Sequence, residues 1–271
     1  MEYVSMFIWL VLCLTLGGTI HAILGSAHST GWLKWLAAPG VAVRKFGMAL
    51  AAMLTGATVT NVNIYRVSER DIGFDGQALG GLPRFIVPVA PLFIGALVLR
   101  GANSLLGTPM NLDLTAPQMS SLSASGAEEF FTGLWSIITG LTRSLVRGEW
   151  NSLGFYVFLA LAFSLAMGAG APFAKYRDSL IGCLLLVIAL AVVCGIFGVP
   201  RSTVSSIVGT GPAAEVVLSM RKFLLNTAHA ALIMMTCGIL LATAVGIIVR
   251  LFELFTRSSS TSAPSREQEA I

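Results

Sequence analysis

Apolar residues run in long, nearly uninterrupted stretches, and the polar residues gather between them. Six such stretches stand out, at residues 4–24, 41–57, 85–99, 153–171, 180–199 and 223–249. Roughly 20 apolar residues in a helix cross a bilayer, so the pattern predicts about six transmembrane segments. Residues 25–40 hold His28, Trp32, Lys34 and Trp35 and read as a loop at the membrane–water interface, where amphipathic rings and amines settle. The third stretch contains Pro88 and Pro91 and ends at Arg100, with residues 101–106 available to extend it. The sixth carries Ala242-x-x-x-Gly246, a spacing that allows close helix contact.

Two further patterns lie between the apolar stretches. Residues 58–67 are β-branched with imperfect alternation, and Gly73, Gly76, Gly80 and Gly81 follow. They predict a short membrane-associated β-hairpin, at the surface or covered by protein, because lipid does not tolerate open strand edges. Residues 107–127 are polar, and Ser125-Gly-Ala-Glu128 has capping-box spacing. After it, Phe130, Phe131, Leu134, Trp135, Ile138, Leu141 and Leu145 recur at helical spacing, with Arg143 and Arg147 near the end. This predicts one interfacial amphipathic helix over residues 129–147. Residues 200–222 read as a connection with one weakly helical patch. The Ser-rich, charged residues 256–271 read as a disordered tail. The fold class is therefore an all-α polytopic membrane protein, with one membrane-embedded domain over residues 1–255.

Composition agrees. Apolar residues make up 55% of the chain and charged residues 11%, against about 25% charged in a soluble domain. Mean hydropathy is +0.82. A soluble globular enzyme and a disordered scaffold are excluded. The net charge of +4 is small, and no basic stripe with interleaved aromatics is present, so nucleic acid is not an expected partner. Lipids and other integral membrane proteins are. Glu2 and the lack of Lys or Arg before the first apolar stretch favour an uncleaved helix over a signal peptide. Cys13, Cys183, Cys194 and Cys237 lie in apolar stretches without C-x-x-C spacing and read as core residues. The expected location is a membrane crossed several times, taken as a bacterial inner membrane. Lys and Arg spread over both sets of loops and do not choose an orientation.

One block is more informative. Pro39-Gly-Val-Ala-Val-Arg44-Lys45-Phe-Gly-Met48 is followed by an Ala/Leu-rich half-helix, the small turn Thr55-Gly56 and a β-branched run to Ile64. It resembles the zinc helix of site-2-type intramembrane metalloproteases, in which an apolar approach leads into H-E-x-x-H. Pro91-Leu-Phe-Ile-Gly95 is similar to the start of that family's next helix. The loop from Ala171 to Asp178 is similar to a later loop whose Asp completes the metal site. The resemblance covers residues 30–185, and it implies a cytoplasmic strand after the second segment, hence an N-terminus inside.

By that resemblance Arg44 and Met48 stand at the two His positions and Lys45 at the Glu position. Two His at i and i+4 hold Zn²⁺ and the Glu activates its water. A guanidinium has no lone pair for a metal, lysine adds a cation, and a thioether is a poor zinc ligand. The resemblance thus implies a non-proteolytic relative with no cofactor. Arg44 and Lys45 have two readings. The favoured one is interfacial anchoring, with the second segment starting after them. The other is burial at the former metal position, paired with an acidic residue. Asp178 is expected to cap the fifth segment, or to pair with Arg44 or Lys45.

His21, His28 and His229 are the remaining candidates for a relocated metal site, against a plain reading as hydrogen-bonded bundle residues. No G-x-S-x-G elbow and no phosphate loop occurs. The leading functional expectation is a catalytically inactive structural or assembly subunit of a membrane complex. Its interaction candidates are Ala242, Gly246, Phe130 and Trp135, with a second small-residue face at Ala162, Ala166 and Gly170. The alternatives are a metal-dependent intramembrane protease with a relocated site, and a small-solute transporter, which Asn226, Thr227 and His229 in the sixth stretch leave open.

Overall fold

The computed structural model describes residues 2–24, 31–61, 72–75, 78–107, 121, 123–147, 150–169, 176–196 and 212–260. Their order is α1 (Glu2–Leu24), α2 (Gly31–Leu54), β1 (Val59–Asn61), β2 (Gly73–Phe74), α3 (Ala78–Ile86), α4 (Ala90–Leu105), α5 (Ala124–Arg147), α6 (Leu153–Ala169), α7 (Tyr176–Ile196) and α8 (Pro212–Ser260). The protein is mostly helical with one two-stranded sheet. Each of the six apolar stretches is helical over most of its described residues, but several boundaries differ from expectation for identifiable reasons.

The expected loop 25–40 is helical from Gly31 onward, so α2 begins well before Arg44. Pro39 lies inside it, where it removes one backbone donor. Beside it, the N–H of Gly40 turns to α6 and donates to the Ser164 Oγ at 2.8 Å. The third stretch divides at residues 87–89. Pro88 disfavours helical geometry at the residue before it, whereas Pro91 falls in the first turn of α4, where no intrahelical donor is lost. The cap of α5 lies two residues earlier than the capping box suggests, with the Ser123 Oγ accepting the Gly126 N–H at 3.4 Å. Helix α8 takes in the patch after Pro212 and continues to Ser260, into the expected tail.

Four helices contain segments long and apolar enough to cross a membrane: Tyr3–Ile20, Trp35–Leu54, Tyr176–Ile196 and Glu215–Ile248. The α4 and α6 helices are shorter, at 16 and 17 residues, about 24 and 26 Å against a hydrocarbon core of roughly 30 Å. Helix α8, at 49 residues, is far longer than one crossing requires. The exposed apolar side chains Leu184, Ile188, Val192 and Ile196 recur every fourth residue on α7, a stripe suited to lipid.

The helices are held by close backbone approaches at small residues. The α2–α6 interface is among the most extensive, and at its centre a Cβ on Gly40 would lie 1.7 Å from the Ser164 carbonyl oxygen. A Cβ on Gly168 would lie 2.1 Å from the Gly40 carbonyl oxygen. Helix α8 meets α6 at Gly238 and Ala166, and meets α1 at Gly238–Ile20 and Gly246–Ile23. The Arg221 guanidinium lies over the Tyr3 ring at 5.8 Å. Contacts at Tyr3, Ile20 and Ile23 thus ascend with those at Arg221, Gly238 and Gly246, so α1 and α8 run parallel. Ala169 and Met234 both approach Gly95, while Ala166 meets Gly238, so α6 runs antiparallel to α8.

The two strands pair antiparallel, Val59 opposite Phe74 and Asn61 opposite Gly73. Gly56, at a φ of 68°, makes the turn that leads from α2 into β1. Below the sheet, Met48, Ala51, Ala52, Ala57, Ile72 and Val87 form a small apolar cluster separate from the main core.

The Gly40 and Gly168 contacts generate a direct test. Gly40→Ala or Gly168→Ala should lower stability by at least about 1–3 kcal/mol, the usual penalty of overpacking. Gly101→Ala, with nothing within 4 Å of the added methyl, should be neutral or stabilising by up to about 1 kcal/mol. Thermal melting of the detergent-solubilised chain measures both.

Candidate functional site

The candidate site is built on the buried stripe of α2. Gly40, Val41, Arg44, Lys45, Gly47, Met48, Ala51 and Ala52 are all buried, at the three- and four-residue spacing of one helix face. The three positions singled out by the resemblance, Arg44, Lys45 and Met48, therefore all point into protein. Arg44 is 3% exposed and Lys45 1% exposed, both near the middle of the candidate span Trp35–Leu54. The interfacial-anchor reading is corrected. Helix α2 starts 13 residues before Arg44, both cations are buried, and Arg44 packs on α6.

A cation at the centre of a membrane-spanning helix costs about 2.5–3.5 kcal/mol on insertion scales, so it must be engaged. Arg44 is. Its Nη1 donates to the Gly168 carbonyl oxygen at 2.9 Å. Helix α6 ends at Ala169, and the last four carbonyls of any helix lack intrahelical donors. Arg44 supplies one of the missing donors and sets a positive charge at the negative end of the helix dipole. Lys45 also makes polar or electrostatic contact within the fold. Met48 is fully buried, in the apolar cluster beside the sheet.

Asp178 lies in the first turn of α7, where a carboxylate complements the helix dipole, although the helix starts earlier than expected, at Tyr176. Its Oδ2 accepts from Arg84 Nε at 3.1 Å, with side-chain exposures of 25% and 65%. The acidic partner envisaged for Arg44 or Lys45 is thus paired with α3 instead. Sequence reasoning did not identify Arg84, because its partner lies 94 residues away. It also missed Gly40, Ser164 and Gly168, whose only signals were small-residue spacing and the Gly after Pro39.

These residues do not fit a zinc ion. The Arg44 guanidinium donates to a carbonyl, the Lys45 ammonium is buried, and the Met48 thioether lies in an apolar cluster with Ala51, Ala52, Ile72 and Val87. Among the described residues no group of three His, Cys, Asp or Glu side chains is placed to hold a metal. His28 and the side chains of His21 and His229 lie outside the described residues, as does Gly170. All four cysteines are buried and free.

The other interaction candidates divide. Trp135 is 66% exposed, whereas Phe130 is 3% exposed and belongs to the main core. Ala242 is fully buried, and Gly246 abuts Ile23 of α1, so that small-residue face packs on this chain's own helix. Ala162 and Ala166 are likewise buried, the latter against Gly238. Comparison with protein-family models, with curated proteins and with solved structures yields no match.

Replacement of Arg44 should separate a helix cap from a surface charge. Arg44→Met leaves the Gly168 carbonyl buried without this donor and should cost about 1–3 kcal/mol. Asp178→Asn, at the more exposed pair, should cost less than about 1 kcal/mol. Chemical or thermal unfolding of the two variants in the same detergent reads the difference.

Proposed function

We propose that the chain is a multi-pass integral membrane protein that keeps the frame of a site-2-type metalloprotease without its chemistry, and serves as a structural or assembly subunit of a membrane complex. The hydrogen bond from buried Arg44 to Gly168 carries this reading. The position that holds a metal ligand in the proteases here holds a side chain that joins two helices. The exposed apolar stripe of α7 and the exposed Trp135 offer surface for lipid or for neighbouring membrane proteins.

Purification of the full chain in mild detergent tests the assembly role. It should co-migrate with a stoichiometric integral-membrane partner on native gels. A chain that always migrates as a lone monomer would remove the subunit reading.

If each of six stretches crossed the membrane once, the first and last would run antiparallel. The parallel contacts of α1 and α8 instead support an odd number of crossings between them. Because α6 runs antiparallel to α8 with α7 between them, α2, α4 and α7 would cross and the short α6 would not, which makes five crossings in all. The two termini then lie on opposite sides. Fusions of a compartment-sensitive reporter at each end should therefore report opposite compartments, and the same compartment for both would favour an even number of passes.

A further inference from the structure

Helix α5 presents three faces rather than two. Phe130, Ile137 and Leu141 are buried in the bundle. Glu129, Thr132, Ser136 and Arg143 are exposed along a polar face. Between them runs a second apolar stripe, Phe131, Trp135, Ile138 and Val146, in which Phe131 is 67%, Trp135 66% and Val146 72% exposed. A helix resting on a bundle at the surface of a lipid layer needs this arrangement, with one face for protein, one for acyl chains and one for headgroups and water.

The C-terminal half of this stripe forms an open groove of about 450 Å³, lined by Trp135, Ile138 and Val146 along its length and by Arg143 and Arg147. Two threonines also line it, but their hydroxyl protons are used internally: Thr139 donates to the Trp135 carbonyl at 2.9 Å and Thr142 to the Ile138 carbonyl at 2.8 Å. Among the described residues the lining is therefore apolar apart from two cations one helical turn apart, with no acidic side chain. Glu128 and Glu129 sit at the other end of α5, about 20 Å or more along the helix axis.

A separate feature marks the level of this groove. The Trp150 Nε1–H donates to the Val146 carbonyl at 3.4 Å. Its ring packs edge-on against Phe155 at 5.1 Å and Tyr156 at 5.9 Å, at the start of α6. Trp150 and Tyr156 are both about half exposed. Tryptophan and tyrosine with one wet and one apolar side are enriched where hydrocarbon meets headgroups.

We propose that this groove binds one anionic phospholipid, with its phosphate held by Arg143 and Arg147 and an acyl chain lying over Trp135, Ile138 and Val146. Charge complementarity selects an anionic headgroup, and the apolar stripe selects a lipid over a free anion. The proposal rests on the chain being in a membrane and not on its loss of protease chemistry, so the two stand or fall separately.

Native mass spectrometry of the full detergent-solubilised chain tests it, with phosphatidylglycerol and phosphatidylcholine of identical acyl chains as probes. The wild type should retain phosphatidylglycerol preferentially. Each arginine near an anionic headgroup contributes about fivefold, so the double variant Arg143→Gln/Arg147→Gln should lose roughly 25-fold of that preference. Arg143→Lys/Arg147→Lys should keep most of it, and Arg100→Gln, an exposed charge on α4, should leave it unchanged. Trp135→Ala should weaken retention of both lipids. Equal binding of the two lipids by the wild type would overturn the proposal, as would an undiminished preference in the double Gln variant. Displacement of phosphatidylglycerol by millimolar inorganic phosphate would show a free-anion site and overturn the lipid assignment. A double Gln variant that fails to fold would leave the Lys variant and Trp135→Ala to decide.

Discussion

The architecture depends on the direct backbone contact between α2 and α6. Gly40 and Gly168 lack the side chains that would hold the two helices apart, and Ser164 returns a hydrogen bond to the Gly40 N–H. In lipid no hydrophobic force drives helices together, so close approach at small residues and interhelical hydrogen bonds must do it. Once the helices touch there, Arg44, one turn beyond Gly40, lies within reach of the last carbonyls of α6. The close approach makes the guanidinium useful, and the guanidinium completes a helix end that lipid could not have solvated.

Helix lengths follow from the same constraint. The α6 helix stops beside Met234, near the middle of the apolar run of α8, and its Gly168 carbonyl faces protein, accepting from Arg44. A short helix ending at depth is acceptable only where neighbours satisfy its backbone. Helices α2, α4 and α8 pack around that end, so a helix of only 17 residues can stand beside helices of spanning length such as α2 and α8.

The candidate site shows where reading from sequence succeeds and where it stops. That Arg44, Lys45 and Met48 are poor zinc-binding groups is legible at once, because ligand chemistry belongs to the side chain itself. Their depth was not legible. A basic pair after a Trp/Lys-rich stretch matches the pattern of an interfacial anchor, and only packing on α6 distinguishes the two cases. Asp178 is similar. Its place near a helix start could be read locally, but its pairing with Arg84 required knowing that α3 lies against α7. The amphipathic α5 was legible as a helix, whereas Phe130 and Trp135, five residues apart, could not be sorted into buried and exposed until the bundle fixed which face turned inward.

The sequence by itself determined an apolar composition suited to membrane-spanning helices, most of the helical segments and the amphipathic α5. These are properties of composition and of short-range periodicity, set by residues within a few turns of one another. Only the tertiary structure decided that the two cations are buried, that Gly168 is the acceptor for Arg44, that α1 and α8 run parallel and that the small face of α8 is taken up internally. Each depends on which backbone groups a neighbouring helix leaves unsatisfied, and helices 124 residues apart in the chain carry no local signal of that meeting.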